Sequence, residues 1–187
     1  MCGIIGIVSR PPTRPTPTDD QVLAGLDAAL AARPDVSAVA SEVAAVDALL
    51  KGLPGVLALA DRIDLVASIT NRLDRLDAFA AHVESDLDAS TLAGAGSRDA
   101  DEGADGLTAD ALERANAELI MLKDGLWSIS RDRLRTAREV ENLAGPGATP
   151  SCLSGYLVVQ QAFSAIDRLE VRGRDSAGVH LYLWGHD

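Results

Sequence analysis

Residues 36–50 read VSAVASEVAAVDALL. Val36, Val39, Val43, Val46 and Leu50 recur at steps of three, four, three and four. At 3.6 residues per turn that spacing places all five on one stripe of an α-helix, in heptad register. A helix with one apolar stripe has to bury it against another element, and a heptad seam calls for a second helix. Gly52 and Pro54 then end the segment. The fold therefore starts from a helix that needs helical neighbours.

The flanking sequence supplies them. TDDQ at 18–21 has the form of a helix N-terminus, with Thr18 or Asp19 as the cap and acid in the first turn. Leu23, Leu26 and Leu30 follow at helical spacing until Pro34. A third helix is expected from about Val56 to Leu87, with Val66, Ile69, Leu73, Leu76, Ala80, Val83 and Leu87 as its seam. STLAGAGSRDADEGADGL, residues 90–107, has little to bury and predicts a flexible loop. Its GAGSRD cluster does not follow a strand, so it fails the dinucleotide-binding pattern. Thr108 or Asp110 opens a fourth helix, whose seam is Leu112, Ala115, Leu119, Leu122, Leu126 and Ile129, resumed by Val140 and Leu143. GPGATP at 145–150 stops it. Four such helices are expected to pack as an antiparallel bundle or long hairpin. Seams of this kind signal packing, not chemistry.

The two ends of the chain have a different character. CGIIGIV at 2–8 is short, apolar and β-branched, which favours a buried strand. SRPPTRPTPT at 9–18 has four prolines and reads as an extended linker. GYLVVQQAFSAIDRLEVRG at 155–173 carries a helical stripe of Leu157, Val158, Ala162, Ala165, Ile166 and Leu169. Arg172-Gly173 reads as a turn. Val179, Leu181 and Leu183 then alternate with His180, Tyr182 and Trp184, which is strand periodicity.

Charge and composition exclude several function classes. The formal net charge is −11, whereas binding a phosphate backbone needs clustered Lys and Arg. No nucleic-acid partner is expected. The apolar runs are too short for a membrane span, and the first eight residues lack the basic start of a secretory signal. Two cysteines, Cys2 and Cys152, do not form a disulfide framework. The expectation is a cytoplasmic protein with reduced thiols, no membrane partner, no metal and no cofactor.

Cys2 is where chemistry enters. If Met1 is removed, the thiol shares its residue with a free α-amine, whose pKa is about 7.7–8.0. Nucleophile and general base then sit on one residue, as in enzymes that use an N-terminal amine as base. Gly3 leaves space for a substrate near the backbone. Taken alone, the stretch also fits a structural cysteine in a buried strand.

MCGIIGIV at the start, together with RLEVRGRDSAGV at 168–179, resembles the glutamine amidotransferase domain of the N-terminal nucleophile hydrolases. That class II group includes glutamine–fructose-6-phosphate aminotransferase, amidophosphoribosyltransferase, glutamate synthase and asparagine synthetase. The fructose-6-phosphate branch is the most similar. Arg168, Leu169, Glu170, Arg172, Gly173, Asp175, Ser176, Ala177 and Gly178 fit its pattern, while Val171 and Arg174 stand where it has tyrosines. The resemblance implies an α+β, αββα-type domain that is incomplete here. Its first strand is 1–9, its helix, RG turn and strand are 153–187, and a mainly helical insertion, 10–152, interrupts it.

The resemblance further implies that Cys2 attacks glutamine and forms a thioester, with its own amine as base. The released ammonia would pass to a sugar phosphate, fructose 6-phosphate, in another domain. Arg172 would lie beside the nucleophile, with Gly173 at the turn and Asp175 and Ser176 bracing it. The segments that supply the oxyanion donors and hold glutamine in that group are not found in this sequence. The chain is therefore expected to be a front or truncated segment, inactive as a glutaminase by itself. Two alternatives stay open. One is a non-catalytic helical module, oligomerising through its bundle, that keeps an amidotransferase remnant. The other is a class II amidotransferase with a different ammonia acceptor.

Overall fold

The valine stripe of 36–50 becomes the centre of the core. In a computed structural model, residues 6–96, 108–167 and 178–182 are described. Helices α1 (Asp19–Ala31), α2 (Val36–Leu50), α3 (Leu53–Leu59) and α4 (Ile63–Gly96) precede α5 (Ala109–Trp127), α6 (Leu134–Ala144) and α7 (Pro150–Asp167). A π-helical segment, Ser128–Arg133, joins α5 to α6 without a break. The protein is mainly α.

Helices α1, α2, α5 and α4 form a closed ring in which each packs on the next. Val39, Val43 and Val46 are fully buried, as are Val22 and Leu26 of α1, Ile69 and Leu76 of α4, and Leu122 and Ile129 of α5 and its continuation. Each buried aliphatic side chain contributes roughly 1.5–3 kcal/mol from water exclusion. The seams predicted for α2, α4 and α5 thus meet one another inside a single bundle. A second, smaller cluster of Val56, Val140, Leu153 and Leu157 ties α3, α6 and α7 together.

The caps resolve choices that the sequence leaves open. Thr18, not Asp19, caps α1: the Gln21 amide donates to Thr18 Oγ1 at 3.2 Å, and the Thr18 amide donates to Gln21 Oε1 at 2.9 Å. Thr108 caps α5 through the Ala111 amide. Asp35 caps α2 at 3.0 Å from the Ala38 amide.

Four expectations are corrected. No strand occurs among the described residues, so they give no support to an αββα sheet. Residues 6–8 and 178–182 form neither helix nor strand, and Val8 is 86% and Tyr182 73% exposed. Alternating side chains mark a strand only where another strand accepts its backbone hydrogen bonds. The remainder of the two expected strands, residues 2–5 and 183–184, lies outside the described residues.

The expected third helix is two. Ala60 leaves α3 with extended backbone and Asp61 takes a positive φ of 57°, so the chain turns before Ile63. Residues 90–96 are helix, not loop. There Ser90 and Thr91 hydroxyls donate to the Asp86 and Leu87 carbonyls at 2.8 and 2.9 Å, which accommodates both residues within a helix. Finally, α7 starts at Pro150, the favoured first helical position for proline. Of its expected stripe only Leu157 is buried; Leu153 and Gln160 complete the inward face, and Leu169 lies outside the described residues.

The α2–α3 corner is the tightest point. A Cβ on Gly55 would stand 1.8 Å from the Leu50 carbonyl oxygen, a backbone atom that cannot swing aside. Gly55→Ala is expected to cost about 3 kcal/mol, at the upper end of overpacking penalties. Urea unfolding followed by circular dichroism measures it, and an unchanged midpoint would contradict this packing.

Candidate functional site

All the residues singled out for catalysis, Cys2, Arg172, Gly173, Asp175 and Ser176, lie outside the described residues. The segments that lead to them are described, and they meet. Ile7 to Arg14 of the N-terminal arm run along a cleft of about 310 Å³ whose opposite wall is α7, through Ser154, Leu157, Val158 and Gln161. The α2–α3 link, from Lys51 to Pro54, forms its floor.

Arg14 ties the arm to α2. Arg14 donates from Nη1 to the Ala48 carbonyl at 2.5 Å and from Nη2 to the Lys51 carbonyl at 2.6 Å. These belong to the last turn of α2, whose final carbonyls have no helical partners and carry the negative end of the helix dipole. Arg14 thus caps α2 from 34 residues away. Nothing in the local pattern of SRPPTRPTPT announces this role, because a cap from a distant segment leaves no spacing signal.

Behind α7 lies a polar network. Gln160, 6% exposed, donates from Nε2 to Glu139 Oε2 at 2.8 Å and to Ser164 Oγ at 3.0 Å. Arg135 Nε donates to the other Glu139 oxygen at 2.6 Å. Burial, the largest single influence, pushes the Glu139 carboxyl up; the hydrogen bonds from Arg135 and Gln160 outweigh it and hold the group below its ordinary range. Two residues on, Glu141 is shifted the other way. Burial raises it first, and the adjacent Asp61 adds to the rise by hydrogen bonding to the protonated form and by charge repulsion.

Between α2 and the π-helical segment, Asp47 accepts from Ser128 Oγ at 2.7 Å and, on both oxygens, from Arg133 at 2.9 and 3.1 Å. Residues five apart diverge on an α-helix. The wider π turn brings Ser128 and Arg133 round to the same carboxylate. This arrangement orients α5 on α2 and holds no free nucleophile.

Cys152, in the first turn of α7, is a free, half-buried thiol. Its amide donates to Thr149 Oγ1 at 3.3 Å, so the residue serves the helix start. No group of three potential metal ligands occurs among the described residues, and no described helix is long and apolar enough to cross a membrane. No family model, curated protein or solved structure matches this chain.

The Glu141–Asp61 contact has a measurable consequence. A carboxylate with a raised folded-state pKa binds more protons folded than unfolded, so it opposes folding as pH rises through that interval. Glu139, held low, acts oppositely: it stabilises above the unfolded pKa, and that contribution is lost as acid protonates it. Glu141→Gln is expected to raise the thermal midpoint at pH 7 and to leave it unchanged near pH 3. A larger gain at pH 3 than at pH 7 would reverse the sign and refute the assignment.

Proposed function

We propose that the chain carries the front part of a glutamine amidotransferase of the N-terminal nucleophile class, similar to glutamine–fructose-6-phosphate aminotransferase. The helical bundle is an insertion between its two matching segments. One observation carries this. The arm from Ile7 to Arg14 and helix α7 line the same cleft, although the whole bundle separates them in sequence. The arm continues from MCGI, and α7 leads into RLEVRGRDSAG. An insertion whose two ends lie side by side is the kind a host domain tolerates.

The chemistry follows from the residues. With Met1 removed, the Cys2 thiolate attacks the glutamine carboxamide carbon, and its own α-amine takes up and returns the proton. Ammonia leaves and a thioester remains. Water then hydrolyses the thioester to glutamate. Arg172 beside the thiol favours the thiolate by charge. In a complete protein the ammonia goes to a sugar phosphate such as fructose 6-phosphate.

The test is the reactivity of Cys2. Intact-mass measurement is expected to show Met1 absent. At pH 7 iodoacetamide is expected to alkylate Cys2 roughly tenfold faster than Cys152, as a thiolate-favouring setting implies. Acetylating the α-amine should abolish that excess. Retained Met1, or equal rates at the two cysteines, would remove the mechanism.

A second reading rests on α5. Ile120, Met121 and Trp127 are 58%, 57% and 59% exposed, whereas the heptad seams are filled within the chain. As a helical interaction module the protein would self-associate through this outer face, and Cys2→Ala would change nothing. Sedimentation equilibrium on wild type and Trp127→Glu separates the two: association lost in the variant favours the module.

A further inference from the structure

The cleft beside α7 is opposite in charge to the chain that contains it. The protein has 28 Asp and Glu against 17 Lys and Arg. Yet the cleft is lined by Arg10, Arg14 and Lys51 and by no acidic residue. Outside the cleft five cations are matched by carboxylates, Arg62 by Asp19, Arg72 by Asp27, Lys123 by Glu84, Arg133 by Asp47 and Arg135 by Glu139, while Arg33, Arg75, Arg114, Arg131 and Arg138 are spread singly over the helices and the α1–α2 turn. Among the described residues Arg10 and Lys51 have no carboxylate partner.

Arg14 prepares the cleft for negative charge. By donating to the Ala48 and Lys51 carbonyls it covers the lone pairs at the α2 C-terminus, which would otherwise repel an anion. Its own positive charge stays uncompensated by any carboxylate. Leu53, Pro54 and Leu157 give the cleft apolar walls, and low-dielectric walls concentrate the field of the three cations. Hydroxyls of Ser9, Thr13 and Ser154 line the remainder and supply neutral donors. A volume of about 310 Å³ suits a small molecule.

We propose that this cleft binds a small dianion, a phosphate monoester or a dicarboxylate, with Arg10 and Lys51 as its charge partners and Arg14 as the fixed wall. The site needs neither Cys2 nor Arg172, so it stands or falls separately from the amidotransferase assignment. A protein of net charge −11 repels anions in general, so saturable anion binding identifies a local site.

The full chain is titrated with inorganic phosphate and, separately, with succinate, at ionic strength held constant with chloride. The amide resonances of Ser9, Gly52 and Ser154 are followed. Saturable shifts are expected, and Arg10→Gln with Lys51→Gln should weaken binding roughly tenfold. Arg131→Gln with Arg138→Gln, the same charge change outside the cleft, should leave it unchanged. Saturation by phosphate alone assigns a phosphate monoester, and by succinate alone a dicarboxylate. Linear, non-saturating shifts with both, or equal weakening in the two double variants, would overturn the site.

Discussion

Helix α2 is the axis of the bundle because its neighbours present glycine where its valines press outward. A Cβ on Gly25 of α1 would lie 2.5 Å from Val46 Cγ2, and one on Gly125 of α5 would lie 2.9 Å from Val43 Cγ1. The two helices therefore approach α2 more closely than any side chain would permit. Van der Waals attraction falls steeply with distance, so close approach is what turns a row of small valines into a core. The remainder follows. With α1 and α5 set against α2, α4 closes the ring, and Asp47 reaches across to Ser128 and Arg133. The π segment is the local deformation that lets α5 keep this register while α6 continues toward α3 and α7.

The same placement of α2 creates the cleft. Its C-terminal carbonyls need donors that the helix cannot supply. Arg14 provides them, and so fastens the proline-rich arm against the α2–α3 corner, facing α7. The four prolines remove backbone donors, and the arm forms neither helix nor strand before Asp19. Three cations consequently gather in one concavity of an acidic protein. The two proposals made for this protein have separate grounds. One rests on residue patterns at the two ends of the chain, and the other on charge and shape.

Much of the bundle was legible. Periodicity identified Val39, Val43, Val46 and Leu50 on α2, Ile69, Leu73 and Leu76 on α4, and Leu119, Leu122 and Leu126 on α5 as inward residues, and all are buried. The errors have one physical source, namely that local pattern does not report partners. Alternation at 178–182 meets no strand among the described residues. Small and polar residues at 90–96 join a helix because α4 already propagates into them, and propagation is far easier than nucleation. The break at Asp61 is set by packing of α3 against α2 and α6, where Gly55 fits against Leu50. Of the cleft, only the absence of helix from the proline-rich arm was legible; Arg10, Arg14 and Lys51 carry no spacing relation to one another.

The sequence by itself determined the helical class, the residues that face inward and the pattern that likens Cys2 and Arg172 to an N-terminal nucleophile centre. Hydrophobic period and capping chemistry are local, so they can be read in one dimension. Tertiary structure alone decided which helix stands at the centre, where the chain turns between α3 and α4, and that Arg14 and Lys51 meet beside α7. Those outcomes depend on how closely two backbones can approach and on which distant donor reaches an unpaired carbonyl, and neither is encoded in the spacing of residues along the chain.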